Sequence, residues 1–156
     1  TELTELDISD VTLSSGCCDV LGRTLTHCKK LKILRIHHTD LHNCLLDLSN
    51  MTELMMLNMS YVTLSSNCCD VLGRTLTHCY NLMSLSICYT NLHNCILDIS
   101  KMTRLLDLKL DEIILSSNAW HALKTEHKHP WYDIVTLRKP SGQLKVEVLS
   151  FAPRFN

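Results

Sequence analysis

Net charge, glycine and long apolar runs are all scarce in this sequence. The formal charge is −1 at pH 7, with 20% charged and 46% hydrophobic residues, a balance typical of globular domains and not of basic nucleic-acid binders or disordered chains. No run approaches the roughly 20 apolar residues that a membrane helix needs. The four glycines are too few for phosphate-cradling loops. We therefore expect neither nucleic acid nor a membrane as a partner.

Sequence signatures of catalytic centres are also missing. The chain contains no Cys-x-x-Cys, His-Glu-x-x-His, Gly-x-Ser-x-Gly or P-loop pattern. We predict that the protein is not an enzyme and uses no cofactor. A metal-dependent activity lost on chelation would be the sign of an enzyme instead.

Nine histidines invite a metal interpretation, which their spacing does not favour. His37 and His38 are adjacent, so on a strand their side chains are expected to point apart. His42 and His93 each precede a cysteine by two positions, with no second such pair nearby in sequence. The sequence therefore predicts no metal site, and His127-x-His129 stands as the alternative zinc candidate.

The sequence contains one long internal duplication. Residues 1–51 return as residues 52–102, with 34 of 51 aligned residues identical, and a third copy starts at 103 and fades after 118. Repetition at a fixed period indicates a repeat architecture. The chain begins inside a repeat, with no Met and no visible signal peptide, so we expect a piece of a longer parent protein.

A finer pattern, Leu-x-x-Leu-x-Leu-x-x-x-x-Leu, runs inside each copy, with Ile or Met replacing some leucines. Its first leucines are spaced 28, 23, 28 and 23 residues apart. The five occurrences begin at Leu3, Leu31, Leu54, Leu82 and Leu105. This pattern resembles the leucine-rich repeat.

The resemblance implies an α/β leucine-rich-repeat solenoid. This is a right-handed horseshoe arc with parallel strands on its concave face and helices and short turns on its convex face. Leu6-x-Ile8 and its equivalents agree, because period-2 spacing places apolar side chains on one side of a strand. At the ninth repeat position only Thr39 and Thr90 can supply a hydrogen bond to the turn.

The 28-residue units have room for a helix. Ser15 is its expected N-cap, apolar residues follow at 3–4 spacing as far as Cys28, and the copy starts at Ser66. The 23-residue units have room only for a turn or a short 3₁₀ segment at 42–51 and 93–102. Helix-bearing units of 28 residues resemble the ribonuclease-inhibitor type of repeat, which also forms the C-terminal sensor of NOD-like receptors.

The repeats are predicted to span 1–129, and 130–156 is predicted to be a C-terminal cap. A last helix is expected over 117–127. Two alternating segments, Ile134–Leu137 and Leu144–Phe151, flank a Pro-Ser-Gly turn signal and predict a hairpin. An apolar solenoid end must be covered, which favours a cap, and the alternative is the start of another domain.

Eight of the nine cysteines occupy equivalent positions in the two copies, where a small apolar residue would serve equally well. Only Cys88 lacks a counterpart, since His37 occupies its position in the first copy. This pattern favours reduced, buried thiols and a cytoplasmic protein. The glycosylation sequons at Asn50 and Asn58 argue for the opposite compartment.

The duplication also indicates where a ligand binds. Of the ten outward-facing strand positions in the first copy, eight differ in the second, whereas the other 41 positions hold only nine differences. The helix sequence CCDVLGRTLTHC is unchanged. Differences concentrated on the strands favour a binding face whose ligand contacts have changed between the copies. Relaxed selection on exposed strand residues is the alternative.

The predicted binding face is acidic at both ends and is expected to carry two stacked tyrosines, Tyr61 and Tyr89, at its centre. Aromatic and Arg residues are common anchors of protein interfaces. Its acidic strands would repel phosphates. The candidate ligand-binding residues are Arg35, His37, His38, Asn58, Tyr61, Ser86, Cys88, Tyr89, Asp107, Lys109, Asp111 and Glu112.

These observations predict a protein-recognition module whose partner binds the concave face. The resemblance implies the ligand-sensing region of a cytosolic NOD-like innate immune receptor. Two alternatives stay open: the substrate-recognition subunit of a ubiquitin ligase, and a secreted or surface receptor. An upstream F-box would indicate the first, and occupied glycosylation sites with cysteine-rich end caps would indicate the second.

Overall fold

The computed structural model describes residues 2–92, 95–99, 101–110 and 113, together with the backbone of 132–138 and 144–150. The elements are β1 (Glu5–Asp7), α1 (Ser15–Leu25), β2 (Ile33–Arg35), β3 (Asp40–Leu41), β4 (Met56–Asn58), β5 (Thr63–Leu64), α2 (Ser66–Leu76), β6 (Ser84–Ser86), β7 (Asp107–Lys109), β8 (Tyr132–Arg138) and β9 (Leu144–Ser150).

The chain is an α/β protein built on a five-stranded parallel sheet. The strand order is β1-β2-β4-β6-β7, so each strand pairs with the next one of its kind along the chain. The register aligns the central leucine of every strand, as in the pairs Leu34↔Leu57 and Leu57↔Leu85. A second, shorter parallel pair joins β3 to β5. The repeating leucine spacing therefore corresponds to a repeating strand register.

The core lies on one side of the sheet. Leu34, Leu57 and Leu85 have no exposed surface, and the residues on either side of each of them are half-buried. Helix residues such as Leu25 and Leu72 belong to the same buried cluster. The helices therefore pack on the leucine side, and the opposite side of the sheet faces solvent.

Each helix begins with a serine cap one residue earlier than the sequence indicated. Ser14, not Ser15, is the N-cap of α1, and its hydroxyl accepts a hydrogen bond from the Cys17 amide at 3.3 Å. Its backbone is extended, which lets the oxygen reach the amide three residues on. Ser65 caps α2 in the same way. Both helices end at a leucine, so Cys28 lies beyond α1, and Thr26 is the C-cap.

Threonine hydrogen bonds connect neighbouring units. The Thr39 hydroxyl donates to the carbonyl oxygens of Ile8 at 3.0 Å and His37 at 3.1 Å. The Thr90 hydroxyl makes the equivalent bonds to Met59 and Cys88, both at 3.1 Å. Both threonines are buried, which makes these bonds costly to lose. The expectation that they bond to the turn is confirmed.

The two C-terminal strands pair antiparallel, with Tyr132 opposite Ser150 and Arg138 opposite Leu144. The expected antiparallel pairing of these segments is confirmed. Cα atoms of β9 lie within 8 Å of those of β7. The helix expected over 117–127 and the zinc candidate His127-x-His129 lie outside the described residues. Among the residues that are described, no helix has the length and apolar character needed to cross a bilayer.

Replacing Leu57 by Ala tests the buried leucine row. The side chain has no exposed surface, so we expect Leu57→Ala to lower the free energy of unfolding by about 2–5 kcal/mol through lost contacts and a cavity. Leu106 is 63% exposed, and Leu106→Ala is the matched control, expected to change it by less than about 0.5 kcal/mol. Urea unfolding measures both, and equal effects would contradict this placement of the core.

One glycine in each helix permits a close approach between that helix and a carbonyl oxygen of the following unit. A Cβ on Gly73 would lie 2.6 Å from the Ile96 carbonyl oxygen, and a Cβ on Gly22 would lie 2.7 Å from that of Leu45. A Cβ on Gly16, also helical, would meet nothing within 4 Å. Only the first two positions are therefore sterically closed to a side chain.

Gly73→Ala should therefore destabilise the protein although alanine is the better helix former. Gly16→Ala should stabilise it by up to about 1 kcal/mol, because helix propensity acts there without a clash. Thermal unfolding of the two variants gives the comparison. An increase in Tm for Gly73→Ala would contradict the close packing of α2.

Candidate binding face and cysteine pairs

The solvent-facing side of the sheet carries two rows of side chains, set by the parallel register. One row is Glu5, Ile33, Met56, Ser84 and Asp107. The other is Asp7, Arg35, Asn58, Ser86 and Lys109. The strand residues expected to face outward therefore lie side by side on one surface.

Charged residues on this face pair with each other at both ends. Arg35 forms an ion pair with Glu5, and the Lys109 amino group lies 3.5 Å from the Asp107 carboxylate. The Ser84 hydroxyl also donates to Asp107 at 3.1 Å. Such exposed pairs contribute little to stability, so their charges stay available to a partner. Asp111 and Glu112 lie outside the described residues.

A residue with a left-handed backbone conformation follows each of the first four strands of the five-stranded sheet. Asp10, His38, Tyr61 and Tyr89 have φ of 58°, 53°, 58° and 53°. The amides of the first three donate to carbonyls of the next unit, as in Tyr61 N–H to the Cys88 carbonyl at 2.8 Å. A positive φ is unusual outside glycine and marks a genuine outlier for a bulky residue such as tyrosine. The repeated turn places these four side chains in one line.

Three of these side chains form an exposed aromatic stack, defined as His38, Tyr61 and Tyr89. The His38 and Tyr61 rings lie 4.4 Å apart at 10°, and the Tyr61 and Tyr89 rings lie 4.5 Å apart at 11°. Tyr61 is 47% and Tyr89 52% exposed. Loss of surrounding water, together with the neighbouring Tyr89, raises the pKa of Tyr61. The expected tyrosine stack is confirmed, and His38 extends it.

Residues just before the left-handed turn lie deeper than expected. Cys88 is only 8% exposed and Ser60 7%, and the Ser60 hydroxyl accepts from the Cys88 amide at 3.2 Å. The Ser60 and Ser86 hydroxyls lie 2.9 Å apart. Placing Cys88 among exposed contact residues was wrong, because its side chain is buried and its sulfur lies 3.8 Å from the Ser86 hydroxyl. Asn58 and Ser86 remain on the face.

Side-chain oxygens at the strand ends accept hydrogen bonds from the turn that follows. Asp7 accepts a hydrogen bond from the Ser9 amide at 3.0 Å, and the Asn58 side chain accepts from the Ser60 amide at 3.1 Å. The bonds from Ser9 hold the pKa of the Asp7 carboxyl below its usual range, with smaller contributions from Arg35 and His37. The face is therefore anionic at its first strand.

Two adjacent histidines converge instead of pointing apart. Asp10, His37 and His38 each offer one ligand atom, and these three atoms lie within 4.8 Å of one another. The His37 Nδ1 atom is 3.9 Å from an Asp10 carboxylate oxygen. The expectation for His37 and His38 assumed an extended strand, whereas the left-handed backbone at His38 turns its side chain back toward the first.

One cysteine pair forms a disulfide. Cys18 of α1 bonds to Cys44 in the turn after β3, with a Cα–Cα distance of 4.7 Å. The prediction that all nine cysteines are reduced was wrong here, because the helix packs its cysteine against that turn. The equivalent residues in the second copy, Cys69 and Cys95, are thiols, and Cys95 Sγ donates to the Cys69 carbonyl at 3.2 Å.

Six of the seven remaining thiols are protected by burial. Cys17 is exposed, and the other six thiols are buried. Burial raises the pKa of Cys79 to about 12. The hydrogen bond with Cys69, together with burial, raises the pKa of Cys95 as well. A protonated buried thiol is inert toward alkylating reagents, because the thiolate is the nucleophile.

The helix side of the molecule carries two equivalent open clefts, one beside each helix. Their volumes are about 500 and 480 Å³. Both are lined by a cleft glycine, the arginine that follows it and an aspartate from the same helix: Gly22, Arg23 and Asp19 in the first copy, and Gly73, Arg74 and Asp70 in the second. The helix residues of the two linings are identical, and Leu45 in the first cleft corresponds to Ile96 in the second, so the clefts differ less between the copies than the opposite side of the sheet does.

Comparison with protein-family models, with curated proteins and with solved structures finds no match to this chain.

Thiol counting tests the cysteine assignment. Without reductant, the unfolded protein should show seven reactive thiols, and the native protein should show one, Cys17. Cys18→Ser should raise the unfolded count to eight: it removes one half of the bond and leaves Cys44 as an additional thiol. Nine thiols in the unfolded protein as purified would contradict the disulfide.

Proposed function

We propose that this chain is a leucine-rich-repeat solenoid that recognises a protein through the concave strand face of a horseshoe arc. The five parallel strands, their leucine register and the two helices at equivalent positions support this architecture. Stacked repeats of this kind bury a shared core and present an extended surface to partners. The parent protein we propose is a cytosolic NOD-like innate immune receptor, with this region as its ligand sensor.

The observation that carries the proposal is the exposed aromatic stack. Aromatic faces supply large apolar contact area, and stacking has already restricted their side-chain motion. Binding therefore costs less conformational entropy here than at flexible side chains. Paired charges flank the stack at both ends of the sheet, in the polar rim that interfaces usually have.

The duplication supports the same surface. Asp10, His38, Tyr61 and Tyr89 occupy two equivalent positions of the duplicated unit, and the residue type differs at both: Asp10 corresponds to Tyr61, and His38 corresponds to Tyr89. The helix residues that line the clefts are the same in both copies, such as Gly22 and Gly73. A partner bound to the strand face would select for such differences, whereas helix packing selects for identity at the cleft glycines.

A secreted or surface receptor is the second candidate, and the disulfide favours it. Disulfides persist in oxidising compartments and are rare in the cytosol. The Asn50 sequon is exposed, with its side chain donating to the Thr26 carbonyl at 3.0 Å. Seven cysteines that remain thiols favour the cytosolic proposal. Occupied glycosylation of Asn50 in the native source would decide for the surface receptor.

Removing the tyrosines tests the binding face. Tyr61→Ala combined with Tyr89→Ala should abolish partner binding without unfolding the protein, since both side chains are about half exposed. Tyr80 is 49% exposed outside the strand face, so Tyr80→Ala is the matched control and should bind normally. Binding is measured against the protein recovered with the intact parent chain. Unchanged affinity of the double variant would contradict the proposal.

A further inference from the structure

Three potential metal ligands meet where the first two left-handed turns lie side by side. Asp10 and His38 occupy neighbouring left-handed positions, and His37 lies between them beside the Asp10 carboxylate. Their ligand atoms are within 4.8 Å of one another. Two imidazoles and one carboxylate are a ligand set suited to zinc, nickel, copper or iron, and poorly suited to magnesium or calcium.

We propose that Asp10, His37 and His38 form a binding site for one divalent transition metal ion of the zinc class. This site goes beyond protein recognition and does not depend on it. Three protein ligands leave at least one coordination position open, to be filled by water or by a group from outside the chain.

The side chains need little movement to close on an ion. Ligand bonds of 2.0–2.2 Å place two ligands of a tetrahedral zinc about 3.4 Å apart. The His37–Asp10 separation is 3.9 Å, and the widest separation within the group is no more than 4.8 Å. All three side chains are exposed or half-buried, so rotation about side-chain bonds supplies the remaining movement.

The stack orients one of the ligands. The His38 ring lies flat against Tyr61 at 4.4 Å, which restricts its rotation and keeps its ring edge, with the nitrogens, free of the aromatic contact. The His37 and His38 rings meet at 84°, edge to face. A metal at this site would therefore sit at one end of the aromatic stack.

The second copy lacks this ligand set and provides an internal comparison. The positions equivalent to Asp10, His37 and His38 hold Tyr61, Cys88 and Tyr89. Backbone conformation is the same in both copies, with positive φ at all four turn positions. The ligand set therefore depends on the side chains in these two neighbouring turns and not on the turn conformation itself.

Zinc and cobalt titrations of the full chain test the site. The background is Cys17→Ser, which removes the exposed thiol that would compete for metal. Isothermal titration calorimetry with zinc chloride should show one ion per chain with a dissociation constant in the micromolar range. Cobalt should give visible d–d absorption without the near-ultraviolet charge transfer that thiolate ligands produce.

The variants are Asp10→Asn, His37→Gln and His38→Phe. Asparagine tolerates the left-handed backbone, and phenylalanine keeps a ring on Tyr61 at a turn that accepts tyrosine elsewhere. Each should weaken zinc binding at least about tenfold. His78→Gln, an exposed histidine on the helix side, is the control and should bind as the background protein does.

Each outcome of these titrations either supports the metal site or overturns it. Stoichiometric binding that all three variants weaken and His78→Gln preserves establishes the site. No zinc binding, binding unaffected by the three variants, or thiolate charge transfer with cobalt overturns it. Circular dichroism shows that each variant is folded, so a loss of binding reports the ligand and not the fold.

Discussion

The parallel register of the buried leucines is the constraint on which the rest of this structure depends. Each strand of the five-stranded sheet has only three residues and few hydrogen bonds, so an isolated unit could not hold its position. Leu34, Leu57 and Leu85 align across neighbouring strands and have no exposed surface. This alignment fixes the residues on either side, and with them both rows on the solvent-facing side of the sheet.

The turn after each strand, together with that register, determines which side chains form the exposed surface. A left-handed backbone at Asp10, His38, Tyr61 and Tyr89 is unfavourable for each residue alone. Amide hydrogen bonds to the next unit and the buried Thr39 and Thr90 hydroxyls hold the chain in this conformation. The same backbone then supports an aromatic stack at one end and a metal-ligand set at the other, according to side chain.

Much of the fold was predictable, because the leucine spacing reports directly which residues must be buried together. The strands of the five-stranded sheet, the two helices and the stacking of Tyr61 on Tyr89 were anticipated from the repeat, whereas the short β3–β5 pair was not. The helix caps were placed one residue late, since two consecutive serines both satisfy the sequence preference and only backbone conformation distinguishes them.

The site was less predictable, and for a physical reason. A positive φ at non-glycine residues leaves no signature in composition, so the convergence of His37 with His38 and the burial of Cys88 were missed. The disulfide was missed because identical cysteines recur in both copies, yet only Cys18 and Cys44 are bonded. Repetition in sequence predicted equivalent backbones and could not predict a chemical difference between them.

The most direct test of whether the strand face binds a protein is site-specific photocrosslinking of the parent protein in its native extract. A photoreactive residue at Met56, on the solvent-facing side of the sheet, should form a crosslink to a second protein. The same residue at Val20, which is 55% exposed on the helix side, should not. Crosslinks formed from Val20 and absent from Met56 would place the partner on the helices and contradict the account.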